Sequence, residues 1–176
     1  MTVLGLLVLV IGATAAERVA ELVVAARNAR WAFARGGVER GRGHYPPMVV
    51  LHTALLIAPV VEVLATGRPF IPWLGWSALA VVLGAQGLRW WCIASLGPQW
   101  NTRVIVVPGA DLVSRGPYRW LRHPNYVAVV LEGLALPLVH TAWITAVAFT
   151  AINAVLLLRF RIPAEERALA ELAAGR

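Results

Sequence analysis

The sequence has no lysine, one cysteine and, over 176 residues, only 14% charged residues. A soluble domain carries about 25% charged residues, so the shortfall argues against a surface dissolved in water. Cys92, being alone, excludes an intrachain disulfide and a cysteine-built metal cluster. The histidines His44, His52, His123 and His140 show neither HxxH nor HExxH spacing, so no metal site is expected. No GxGxxG follows a strand pattern, no P-loop occurs, and nothing repeats at the period of a solenoid. A Rossmann-type cofactor domain is therefore excluded, and a nucleotide-like cofactor would have to be held by helix ends and loops.

What is present is apolar. Hydrophobic residues make up 59% of the chain, and the mean hydropathy is +0.69. Long stretches hold no charge at all, as expected of a chain dissolved in lipid. The pattern predicts an all-α, multi-pass integral membrane protein with about five transmembrane helices, residues 1–176 forming a single membrane domain. Span one is expected over Thr2–Ala26. Its start could pass for a signal peptide ending at Ala13-Thr14-Ala15-Ala16, but no positive segment precedes it and apolar character resumes after Glu17 and Arg18, so it is read as a retained helix. Span two is expected over Met48–Thr66, entered through Pro46-Pro47, and span three over Trp73–Ile93. Spans four and five, Tyr126–Val139 and Trp143–Leu158, are separated only by His140-Thr141-Ala142, which forces a helical hairpin. A full crossing takes about 20 residues. Span four reaches that only by starting inside the preceding loop, and span five only by running on to Arg161; a re-entrant pair is the alternative.

The net charge of +7 comes from arginine. The arginines sit between apolar spans, where membrane topology requires them, so nucleic acid is not an expected partner. Five lie between Arg27 and Arg42. Four more (Arg103, Arg115, Arg119, Arg122) lie in the polar stretch Ala94–Asn125 against Asp111, whereas the other two connections share only Arg68. Both basic segments are thus expected to face the cytoplasm, with the amino terminus outside and the carboxyl terminus inside a bacterial cytoplasmic membrane. The tail EERALAELAAGR has Leu169 and Leu172 on one side and reads as a continuation of span five or a helix on the membrane surface.

Polar groups inside the spans need partners. Glu132 and Asn153 are expected to approach each other across the hairpin. For these buried groups, Glu62 included, a structural hydrogen bond or a protonated carboxyl is preferred over catalysis, and Glu17, Arg18 and Glu21 are expected to form an intrahelical group. Trp90, Trp91 and Trp100 bracket the basic loop as interfacial anchors, with Trp100 also a candidate pocket wall.

Two segments carry chemistry. In Ser114–Tyr126, SRGPYRWLRHPNY, Pro124 suits the first turn of span four, whose free N–H groups and positive dipole end lie beside His123 and Tyr126. Either this is an anion-accepting helix end beside aromatic rings, or it is an ordinary basic loop capped by a proline. In RIPAEE, Arg161 and Glu165 stand four apart, as on one helix face, with Pro163 between them; the alternative is a snorkelling arginine and a solvated acidic tail. The hairpin returns the second segment to the first.

RGPYRWLRHPNY, a helical hairpin and then RxxxEE together resemble the isoprenylcysteine carboxyl methyltransferase family over roughly Leu96–Leu169. The amino-terminal stretch ERVAELVVAARNARWAFARGGVERGRGHYP is similar to a bacterial branch found beside type III polyketide synthases, whose members O-methylate alkylpyrones or phenolic lipids. The resemblance implies a membrane methyltransferase using S-adenosyl-L-methionine, held by Leu112, Val113, Tyr118, His123, Pro124, Asn125, Tyr126 and Glu165, with Arg161 facing the substrate. It also implies a lipophilic anionic acceptor entering from the membrane lipids, and a functional link to a polyketide synthase. Ala128 stands where the family usually has glycine, and spans are fewer than in eukaryotic members. Other readings are a phospholipid N-methyltransferase, an NADPH-dependent reductase drawing on Arg115 and Arg119, and a structural membrane subunit.

Overall fold

The computed structural model describes residues 3–174, with side chains through residue 171. Residue 2 of span one, the Leu172 side chain and the last two residues of the tail lie outside the described part. Helix α1 covers Val3–Phe33, α2 Tyr45–Thr66, α3 Pro72–Leu96, α4 Pro124–Leu138, α5 Trp143–Leu156 and α6 Ile162–Ala174. Two three-residue strands, β1 (Val38–Arg40) and β2 (Val104–Val106), are the addition to an otherwise helical chain. Prolines open several helices: Pro46 and Pro47 lie in the first turn of α2, Pro72 starts α3 and Pro124 starts α4, positions where the missing N–H costs nothing.

Four helical segments are long and apolar enough to cross a membrane: Val3–Phe33, Arg42–Thr66, Pro72–Gln99 and Trp143–Glu171. The protein is an all-α, multi-pass integral membrane protein. Helix α4 is the short one. At 1.5 Å per residue its 15 residues reach only about 22 Å, less than the ~30 Å of a hydrocarbon core. It begins at Pro124, two residues ahead of the expected start, and stays short.

Helix α5 runs on into α6 through one π turn, Leu157–Arg161. Pro163 explains the widening: it has no N–H to return to the Arg159 carbonyl, and its ring would press on that oxygen. The extra residue turns Leu157 and Arg161 inward, to 3% and 5% exposure, while Phe160 stays 51% exposed.

The apolar core is Leu7, Ile11, Leu55, Val63, Ala78, Val82, Leu136, Val139 and Phe149, drawn from α1 to α5. It fills the end of the bundle that holds the α2–α3 and α4–α5 turns. Gly133 lets α4 approach α5 closely, since a Cβ there would strike the Phe149 ring. At this end Glu62 of α2 caps α5. Its oxygens accept the N–H of Ile144 at 3.1 Å, the N–H of Thr145 at 2.7 Å and the Thr145 hydroxyl at 2.8 Å. Helix α5 has no side-chain cap of its own at Ala142, so a carboxylate from another helix meets its positive end. Arg68 closes the pair at 3.3 Å.

Midway along the bundle lies a buried charge cluster. Glu132 of α4 accepts from Arg18 of α1 and from Arg89 and Gln86 of α3. Arg18 reaches Glu21 at 2.5 Å, and Arg89 lies 3.4 Å from Glu21. Two arginines thus meet two carboxylates, and the cluster ties α1, α3 and α4 together without net charge. This corrects the expected pairing of Glu132 with Asn153. The amide of Asn153 is buried without a hydrogen-bond partner among the described residues, because two arginines outcompete a neutral amide for a buried carboxylate. The intrahelical group around Arg18 forms only in part: Glu17 accepts instead from the Trp90 indole at 3.4 Å.

Candidate functional site

At the other end of the bundle the two basic segments and the tail converge. Gly36 and Gly41, with φ of 75° and 62°, turn the chain leaving α1 into β1 and then into α2. Strand β1 pairs antiparallel with β2 in the register Val38↔Val106, Glu39↔Ile105, Arg40↔Val104. Glu39 holds Arg103 and Arg42, each at 3.2 Å, and Arg40 reaches Glu171 of α6 at 2.8 Å. The loop after α3 is stitched to α1: Asn28 donates to the carbonyls of Gly97 at 3.1 Å and Trp100 at 2.8 Å, and Asn101 donates to that of Ala25 at 2.9 Å. Gly116, at φ 60°, lies against Ser95 of α3, where a Cβ would collide with the Ser95 hydroxyl. Arg115 donates to the Ser95 carbonyl at 2.9 Å.

These elements enclose a cavity of about 670 Å³. Leu112, Val113, Tyr118, His123, Asn125, Tyr126, Arg161 and Glu165 all line it. Pro124 does not. It is fully buried at the start of α4, and what it contributes is the helix end on which Asn125 and Tyr126 stand. Trp100, read as a candidate pocket wall, is 3% exposed and lines the cavity, its indole N–H without a partner among the described residues.

One chain of contacts crosses the floor. Arg161 Nε donates to the Tyr126 hydroxyl at 3.0 Å, and that hydroxyl donates to Glu165. The four-residue spacing of Arg161 and Glu165 thus closes on one tyrosine. The His123 ring stacks on Tyr126 with centroids 5.5 Å apart, and its nitrogens lie 3.6 Å from Glu165 and 3.4 Å from Glu166. Contact with Glu165 raises the His123 pKa above its ordinary 6.5, against the effect of burial. Burial beside Cys92 pushes the Tyr118 phenol up, so it stays a neutral donor.

A second, smaller cavity of about 190 Å³ adjoins the first. Trp100, Asn101, Asn125, Tyr126 and Arg161 line both, and so form the wall between them. Met48, Leu56 and Val129 give it apolar sides, and Arg18, Glu21, Arg89 and His52 line it as well. Leu22 of α1 and Val49 of α2 line it while remaining 50% and 45% exposed, which marks a side opening between those helices.

Arg161 differs from the arginines of the charge cluster. It is buried, yet it makes no salt bridge with a carboxylate among the described residues; its partners are Tyr126 and, at 3.5 Å, His44 Nε2. Glu165 acts on Arg161 only across the Tyr126 hydroxyl, without a direct ion pair, and the guanidinium faces the adjoining space.

The match of this half of the chain to known proteins decides its relationship. The model of the isoprenylcysteine carboxyl methyltransferase family matches residues 78–171. The chain belongs to that family. Members are membrane methyltransferases that use S-adenosyl-L-methionine. An uncharacterized protein of Bacillus subtilis, YpbQ, is 43% identical over 156 residues, covering 88% of this chain and 91% of its own. An uncharacterized protein of Haemophilus influenzae is 25% identical over 158 residues, 89% of this chain and 91% of its own.

Sequence reasoning missed several residues of the site. Arg89 sits inside span three; a charge in an apolar run was the available clue. His44, Asn28 and Asn101 act through partners far away in sequence, and nothing local marks them.

Proposed function

We propose that the protein is an S-adenosyl-L-methionine-dependent O-methyltransferase whose acceptor is a lipophilic anion with a compact polar head, such as an alkylpyrone or phenolic lipid. The observation that carries this reading is Arg161: a buried cation, bordering both cavities, with no carboxylate salt bridge among the described residues. Such a charge favours the ionised form of an acceptor oxygen placed beside it.

The larger cavity suits the cofactor chemically. Glu165 and Glu166 offer acceptors for hydroxyl or ammonium groups, and Tyr118, Tyr126 and Trp100 offer aromatic surfaces to a cation. The buried Oδ1 of Asn125 and indole N–H of Trp100 have no partner among the described residues, which leaves both to a ligand. Leu112 and Val113 add the apolar side. When bound, S-adenosyl-L-methionine would supply an electrophilic methyl group, whose transfer to an ionised acceptor oxygen forms the O–C bond, breaks the S–C bond and releases a neutral thioether. The residues then have to orient and exclude water: Arg161 in the shared wall, held by Tyr126, fixes the acceptor oxygen, and Trp100 screens it. No catalytic base is assigned, because an acidic enol, phenol or carboxylate arrives ionised.

The smaller cavity favours a short head over a long internal tunnel. It suits a ring-sized group, with the side opening at Leu22 and Val49 as the way for a tail to lie among membrane lipids. The charged and polar groups among its lining, Arg18, Glu21, Arg89 and His52, favour an oxygen-bearing ring over a prenyl chain. A functional link to a polyketide synthase belongs to the same reading. The cofactor requires the site end to face the cytoplasm, which agrees with its arginines and puts the amino terminus outside. An NADPH-dependent reductase is disfavoured, because neither Arg115 nor Arg119 lines the cavity and the Arg115 Nε donates to the Ser95 carbonyl. A phospholipid N-methyltransferase would meet a cation, Arg161, where its amine must react.

The test is binding of radiolabelled S-adenosyl-L-methionine to detergent-purified protein, followed by methyl transfer to alkylpyrone or resorcinol lipids. Arg161→Ala should keep cofactor binding and lose methyl transfer. Absent binding, or displacement by NADPH alone, refutes the reading.

A further inference from the structure

Arg161 needs an orienting partner that leaves its charge intact, and the structure supplies one from the opposite half of the chain. His44 Nε2 lies 3.5 Å from Arg161 Nη1. A guanidinium has no acceptor, so the imidazole must accept here, which puts the lone pair on Nε2 and the proton on Nδ1. The ring is clamped in this pose. On one side is Gly41, in the left-handed conformation at φ 62°, where a Cβ would come within 2.8 Å of His44 Nδ1; the same Cβ would lie 3.2 Å from Ala164 at the start of α6. His44 is 9% exposed. Its segment is pinned by the β1–β2 ladder and by the Arg40–Glu171 pair, so the clamp is tied to the tail that carries Arg161.

A carboxylate at this position would hold the guanidinium as firmly but cancel its charge. A neutral imidazole accepts the hydrogen bond and leaves the positive charge for the acceptor oxygen. We infer that His44 is a positioning residue for methyl transfer: a neutral acceptor that fixes the Arg161 guanidinium against the wall between the two cavities without neutralising it. The inference rests on Arg161 facing the acceptor, as proposed above. His44 lies outside residues 78–171, the part matched to the family.

Three substitutions test it, each checked for folding by detergent gel filtration and for cofactor affinity. His44→Gln keeps an acceptor of similar reach and should hold kcat within a few-fold. His44→Phe keeps a ring but no acceptor and should lower kcat roughly 10- to 100-fold at unchanged S-adenosyl-L-methionine affinity. His44→Glu keeps an acceptor but pairs the charge, and should fall with Phe rather than with Gln. A packing role predicts that Phe is tolerated; full activity in His44→Phe, or equal loss in Gln and Phe, overturns the inference. Should Phe not fold, Glu matching Gln overturns it and Glu well below Gln supports it. Nitrogen-15 histidine spectra give a reading independent of turnover: His44 should carry its proton on Nδ1 and shift in Arg161→Gln. A proton on Nε2 would sink the proposal. Failure of the wild type to bind cofactor would refute the methyltransferase reading instead, leaving the spectra to judge His44.

Discussion

Removing Glu132 tests how the bundle around the site is held. Its two oxygens take hydrogen bonds from Arg18, Arg89 and Gln86. The side chains of Glu132 and Arg89 are each 4% exposed, and that of Arg18 is 19% exposed. Glu132→Ala leaves two guanidiniums facing the single carboxylate of Glu21. Breaking a buried pair by removing one partner costs about 3–5 kcal/mol, a roughly 200- to 4000-fold loss in the folding equilibrium. Against a usual stability of about 5–15 kcal/mol, that is a large share. Membrane proteins in detergent often unfold irreversibly, so the assay is the half-life of soluble, monodisperse protein at fixed temperature. The control is Arg89→Leu with Glu132→Leu. This removes a full pair, leaves Arg18 on Glu21 at 2.5 Å, and should recover most of the loss, because apolar replacement of a complete buried pair is often neutral. If Glu132→Ala matches the wild type, or the double variant is no better than the single, the cluster is not a charge-balanced buried unit and the reasoning fails.

Other outcomes follow from the same geometry. Glu165→Ala should weaken S-adenosyl-L-methionine about 10- to 100-fold, the loss of a hydrogen bond to a charged group, read by equilibrium dialysis; unchanged affinity would remove Glu165 from the cofactor site. The His123 pKa is raised in the folded state by Glu165. Its contribution to holding the tail is therefore complete below the ordinary 6.5 and fades as pH rises through the raised value. The half-life of the wild type in detergent should shorten across that window more than that of His123→Gln, and parallel curves would contradict the assignment. Glu62→Ala uncaps α5 and leaves Arg68 without its carboxylate. Loss of a cap costs about 0.5–2 kcal/mol, so the half-life in detergent should shorten, with cofactor affinity unchanged; a weakened affinity would mean that the two ends of the bundle are coupled.

How much of this was legible depends on the range of the interactions. The spans read well because each is a local apolar run, and the hairpin read well because three residues allow no other path. The short α4 was visible in the count of apolar residues between Pro124 and the hairpin turn at His140. Ends read less well. Helix α1 continues past Ala26 to Phe33, with Asn28, Ala29 and Ala32 buried in the fold, whereas in the sequence Arg27, Asn28 and Arg30 interrupt the apolar run. The β1–β2 ladder was invisible, since three residues show no period and their pairing joins segments on either side of two helices. In the site, RHPNY and RxxxEE were legible because their members are neighbours in the chain. His44 was not, because its contact with Arg161 spans 117 residues. Arg89 was hidden among the tryptophans of α3. Glu132 was given the wrong partner because proximity in the hairpin says nothing of arginines arriving from α1 and α3.

On the proposed methyltransferase reading, the two cavities divide the chemistry between the halves of the chain. The residues around the larger cavity that point to the cofactor come from the segment matched to the family, residues 78–171. Much of the smaller cavity comes from before it: Arg18, Glu21, Leu22, Tyr45, Met48, Val49 and His52. Sulfonium transfer asks little of the acceptor beyond an ionised oxygen and a fixed line of approach. A cofactor half of this kind is therefore compatible with many acceptors, and α1 and α2 supply surfaces able to discriminate among them. Arg161 is where the halves meet, held by Tyr126 from one and His44 from the other. A change of acceptor within such a scaffold would fall on Leu22, Met48, Val49 and His52, while the Arg161–Tyr126–Glu165 line stayed as it is.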